Sequence, residues 1–111
     1  MGIDSETIQR IDASLLPQLE RHHLRLLAHC LDSFRTMAEE GSGTIPDHER
    51  RRLWCEQQPV IAEDPCFLST LLEQLAVAAE QLERLAKQAN KQPLDLSIDD
   101  LIVAAEQRYI R

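Results

Sequence analysis

A glutamate and a histidine one helical turn apart, Glu20-x-x-His23, have the spacing with which carboxylate-bridged di-iron bundles hold their metal. The same stretch carries His22, His29 and Cys30. A di-iron site needs two such motifs and two further carboxylates, and this chain has one motif. A symmetric dimer could supply the second, and Glu73 or Glu80 could supply carboxylates from a later segment. Both of these fall outside the apolar line of that segment, and Glu20 borders the apolar face of its own. The expectation is therefore that His23 is a core-edge side chain and Glu20 its solvated neighbour, with a metal-binding bundle using Glu20 and His23 as the alternative. His22 and His29 stand seven residues apart, about 10.5 Å along a helix axis, too far for one ion.

Arg50, Arg51 and Arg52 form the one run of cations. On a helix three consecutive residues fan out around the axis, so they cannot make a single patch. Pairing with Asp47, Glu49 and Glu56 on a solvated face is expected, and nucleic-acid or anion binding through Arg50–Arg52 is the alternative. Trp54 follows closely. Beside Pro59, Val60, Ile61 and Phe67 it is expected to plug one end of the fold. Trp and Arg also dominate interface hot spots, which makes Trp54, Arg50 and Arg51 the candidate partner-binding residues.

The three cysteines, Cys30, Cys55 and Cys66, are odd in number and widely spaced. They read as reduced thiols of a cytoplasmic protein. Cys30 looks like a small core residue. Cys55, which follows the arginines, is the one closest to an activating setting. There is no Ser-His-Asp grouping, no glycine-rich phosphate loop and no HExxH, and the three glycines all precede residue 44. No catalytic residue and no cofactor are assigned.

Charge narrows the classes further. The net charge is −7, about −3 over residues 1–60 and about −4 over 61–111, so no basic tail is hidden in the average. Nucleic-acid binding needs a basic face and is disfavoured. The first ten residues lack an apolar run, so no signal peptide is expected. No stretch approaches the length of a membrane span.

The elements that must position these residues are helices. Leu68, Leu71, Leu75, Ala78, Leu82, Leu85 and Ala89 repeat at spacing 3,4,3,4,3,4 without Gly or Pro, which predicts one long helix with a buried seam. Asp64-Pro65 starts it with an N-cap and Pro at N1, and it runs to about Asn90, ended by Gln92-Pro93. Glu80–Arg84 and Glu83–Lys87 lie at i,i+4 on its outer face. Upstream, Asp4 or Ser5 caps a short helix to about Asp12. A second long helix is predicted from Ser14, with Pro17 in its first turn, to about Glu40. Two apolar stripes run along it, Leu16, Leu19, His23, Leu26, Cys30 and Met37 beside Leu24, Leu27, Leu31, Phe34 and Ala38, and periodicity alone does not choose which faces inward.

Thr44-Ile45-Pro46-Asp47 reads as a capping box for a short helix to about Gln57. Pro59 breaks it, and Val60-Ile61-Ala62 follows as an apolar connection or a single turn. An extended Leu94-Asp95-Leu96 linker leads to the capping box Ser97-x-x-Asp100, then to a helix with the stripe Ile98, Leu101, Ile102, Ala105 and Tyr109, closed by Arg108 and Arg111. The segment Leu82 to Tyr109 resembles the two helices of ribbon-helix-helix DNA-binding proteins. It lacks their basic strand, so the resemblance implies no role here.

These signals predict one all-α domain over residues 1–111, a small bundle with two long antiparallel helices joined through 41–64 and two or three short ones. The function that remains is non-catalytic: an acidic protein-interaction module, regulatory or adaptor in kind, whose partner is another protein or a second copy in a homodimer. A 25-residue helix is longer than a compact domain of this size needs, which favours pairing.

Overall fold

The computed structural model describes residues 5–38 and 41–110, with the side chains of all of these except Tyr109 and Ile110. The expectations placed on Asp4, Glu40, the Tyr109 side chain and Arg111 lie outside what is described. In chain order the helices are α1 (Ser5–Asp12), α2 (Gln18–Met37), α3 (His48–Glu56), α4 (Pro59–Ala62), α5 (Pro65–Ala89) and α6 (Ile98–Ile110), with a 3-10 turn at Pro93–Asp95. Among the described residues there is no strand. The all-α bundle is as predicted.

Caps decide most boundaries. The Asp64 carboxylate accepts from the backbone N–H groups of Cys66 and Phe67, both at 3.1 Å, and Pro65 occupies N1. Asn90 ends α5 in the left-handed conformation, φ 55°, so the helix stops before Gln92-Pro93 is reached. Ser97 and Asp100 cap α6 reciprocally: Ser97 N–H donates to Asp100 Oδ2 at 2.9 Å and Asp100 N–H to Ser97 Oγ at 3.2 Å.

Two starts differ from the expectation, each because of a proline. Pro17 is the N-cap of α2, not a first-turn residue. A residue before proline is pushed out of the helical region, so the chain cannot be helical through Leu16. Ser14 instead closes α1, its hydroxyl donating to the Ile11 carbonyl at 2.6 Å. Thr44 forms no capping box. Pro46 holds Ile45 extended by the same rule, and Asp47 caps α3 itself, accepting from Arg50 N–H at 2.9 Å. The 94–96 linker is also tighter than expected. It turns, and it buries Leu94 and Leu96.

That linker corrects the predicted antiparallel pairing of the long helices. Arg35, in the last turn of α2, donates from Nε to the Leu94 carbonyl at 3.0 Å and from Nη2 to the Leu96 carbonyl at 2.5 Å. Leu94 N–H donates to the Gly43 carbonyl at 2.9 Å. The C-terminal ends of α2 and α5 thus meet at one end of the molecule, and the two long helices point the same way. Segment 41–64 is more than a loop: α3 and α4 form a returning arm that packs on α5. The antiparallel neighbour of α2 is α6, joined at its far end by Arg108 Nη2 donating to Glu20 Oε2 at 3.3 Å. The path is up, down, up and down. Gly43 is buried where the 3-10 linker crosses it, and a Cβ there would lie 1.8 Å from Gln92 Oε1. The longest dimension, 40 Å, is close to the length of α5 itself, about 37 Å.

The core takes Leu24, Leu31, Phe34 and Met37 from α2, Leu75, Ala78, Ala79, Leu82 and Ala86 from α5, and Leu101 and Ala105 from α6. The second stripe on α2 therefore faces inward at Leu24, Leu31 and Phe34, and Met37 of the first stripe is buried beside it. The seam on α5 is buried at Leu75, Ala78 and Leu82, half-buried at Leu68, Leu71 and Leu85, and exposed at Ala89. A straight helix drifts off a strict seven-residue repeat, and the inward line moves to Ala79 and Ala86.

Asp100 links charge to stability. Lys91 Nζ donates to its Oδ2 at 2.7 Å, and this bond, with the one from Ser97 N–H, holds the carboxyl below its usual range. A folded-state pKa below the unfolded one contributes stability above the unfolded value, about 4, and that stability is lost as pH falls through the folded value. Asp100→Asn is expected to flatten the fall in stability below about pH 4, measured by urea melts at stepped pH.

Candidate functional site

Three helices leave a groove between them. α2 lines it with Glu20, His23, Leu26, Leu27 and Cys30, α5 with residues from Thr70 to Gln88, and α6 with Leu101, Ala104, Ala105, Gln107 and Arg108. Its volume is about 930 Å3. Helical spacing explains the lining. On α5, Thr70, Gln74, Val77, Gln81, Arg84 and Gln88 recur at three or four residues, with Glu73 next to Gln74, one strip beside the buried line.

The walls differ in chemistry. The α2 wall is mainly apolar, and Leu26 stands 46% exposed on it. The α5 wall is mainly polar, with Val77 56% exposed among glutamines, Glu73 and Arg84. Leu24, Ala78 and Ala105 belong to the core and form part of the floor. Leucine and valine exposed to this degree beside a concave surface are what a docking site requires. Cys30 adds no reactivity, because burial pushes its thiol pKa up and keeps it protonated near neutral pH.

The predicted metal residues end up in this groove without forming a ligand set. Glu20, His23 and Glu73 all line it. Glu20 is engaged by Arg108 at 3.3 Å, which ties α2 to α6 at one end of the groove. Among the described residues no group of three or more His, Cys, Asp and Glu side chains is placed to hold a metal ion. His22 and His23 are both exposed, their rings 6.3 Å apart.

The arginine run lies outside this groove and makes local contacts. Arg50 Nε donates to the Met37 carbonyl at 3.0 Å, and Arg51 Nη1 to the Pro46 carbonyl at 3.0 Å. Arg52 pairs with Glu49 at 2.5 Å and Glu56 at 3.4 Å. The first two hold the loop between α2 and α3, and the third is the acidic pairing expected. Trp54 is half-buried against the core, and its backbone carbonyl accepts from Gln58 Nε2 at 3.3 Å. Cys55 is fully buried, and burial followed by the Glu56 charge raises its pKa, the opposite of an activated thiol.

The groove itself was not assembled from the sequence. Leu26 reads there as one position of an apolar stripe. Val77 is the available signal on α5, a β-branched apolar residue off the seam and within an otherwise polar strip. No helix of the described residues is long and apolar enough to cross a membrane.

Residues 3–110 match the model of a family described as "NDH complex assembly factor CRR9", and the chain belongs to that family. No curated protein and no solved structure matches it.

Proposed function

We propose that this member of the CRR9 family of NDH complex assembly factors works without catalysis, holding a protein component of such a complex while the complex is built. The family supports protein partners and an assembly role. The observation that carries the reading to a surface is the α2–α5–α6 groove, with Leu26 and Val77 half-exposed on facing walls. Burying such side chains on a partner is the usual source of docking energy. Placement in the cytoplasm is part of the proposal, supported by three free thiols.

The test is L26E/V77E introduced into the native chain. Both positions face solvent, so the melting temperature is expected to move by no more than a few degrees, as for surface substitutions. Accumulation of the NDH complex is expected to fall to the level seen when the chain is deleted. Normal accumulation with a folded double variant would overturn the groove as the working surface.

A further inference from the structure

We infer that the groove receives one amphipathic α-helix of a partner protein, which carries a basic side chain against Glu73 and an acidic one, three turns along, against Arg84. The inference rests on the docking reading above and adds the occupant and its charge pattern.

Size comes first. From Thr70 to Gln88 the α5 wall runs about 27 Å. A groove of that length with a volume of about 930 Å3 has room for a helix lying partly sunk along it. One such helix beside α2, α5 and α6 completes a bundle, with packing of the kind helices already make.

The walls then select the kind of helix. An apolar wall with Leu26, Leu27 and Cys30 faces a polar wall with Gln74, Gln81 and Gln88. Only a helix apolar on one side and polar on the other satisfies both.

Charge sets the pattern along the helix. Glu73 and Arg84 stand eleven residues apart on the α5 wall, about 16.5 Å or three turns. Among the described residues neither has an ion-pair partner. The Glu73 end of the groove also holds the Glu20–Arg108 pair, which cancels, so along the lining Glu73 is the acid left at one end and Arg84 the base at the other, with Glu80, Glu83 and Lys87 on the outer side of Arg84. The complementary helix puts its base at Glu73 and its acid at Arg84.

The probes are synthetic amphipathic helices about 18 residues long, with one apolar stripe and a glutamine-rich face. The matched probe carries Glu and Lys three turns apart on the face turned to α5, and the control probe carries Glu at both places. Binding to the full chain is measured by fluorescence anisotropy. The matched probe is expected to bind about fivefold more tightly than the control, from one exposed pair at Glu73 turned from attraction to repulsion whichever way the probe lies. The preference inverts against E73K, and both probes are lost against V77E. Equal affinity for the two probes, with both still lost against V77E, overturns the charge-matched helix and leaves the docking groove standing. Probe binding that V77E does not weaken, or no binding of either probe, overturns the helix proposal. A chain that sediments as a dimer, separates on V77E substitution and ignores both probes assigns the groove to a second copy, which also overturns it.

Discussion

Phe34→Ala is expected to remove about 3–5 kcal/mol of folding stability, the usual cost of deleting a buried aromatic ring. Phe34 has 0% of its surface exposed and is the largest of the fully buried side chains. It is also one of only four aromatic residues in the chain, so the core has little else of that volume. The ring cannot be replaced by collapse of a neighbour without moving α2, whose end is pinned by the bonds from Arg35 to the Leu94 and Leu96 carbonyls. The cavity therefore persists, and its cost adds to the lost transfer energy. At about 4–8 °C per kcal/mol, the melting temperature falls by at least 12 °C or so. A urea midpoint that drops at unchanged slope would assign the loss to stability alone. A shift of a degree or two would mean that Phe34 is not enclosed.

The second large effect belongs to the α5 seam and separates positions the heptad pattern treats as equal. Leu82→Ala is expected to cost about 2–5 kcal/mol, because the side chain is wholly buried. Leu85→Ala is expected to cost about half as much or less, because Leu85 is half-buried and looks onto the groove. The two variants diverge again in binding: Leu85→Ala weakens a groove ligand while leaving the fold largely intact. Thermal melts of the pair give the ordering directly. Equal destabilisation would place the two leucines in the same environment, contrary to the structure.

The long helix was legible because several local signals agree. Asp64 caps it, Pro65 enters it, no breaker interrupts it, and the leucines repeat at helical spacing. Ser97 and Asp100 were legible for the same reason, since a capping box involves only residues three apart. The errors at Ser14 and Thr44 are also local. Each gave a hydroxyl more weight than the proline downstream, which excludes the residue before it from the helix. Arg50 and Arg51 show a different limit. Each donates a bond, to the Met37 and Pro46 carbonyls respectively, which a sequence does not bring near them.

By itself the sequence determined the helices, the starting caps of α5 and α6 and the amphipathic face that each helix must bury, since these depend on contacts within a few residues along the chain. Tertiary structure alone decided that α2 and α5 point the same way, which stripe of α2 turns inward, and that Leu26 and Val77 stand on opposite walls of one groove. Hydrophobic periodicity specifies that a face is to be covered but carries no information about what covers it. That choice is made by loop reach, by the Arg35 clamp on the 94–96 linker, and by the way three unequal helices pack and leave a space unfilled.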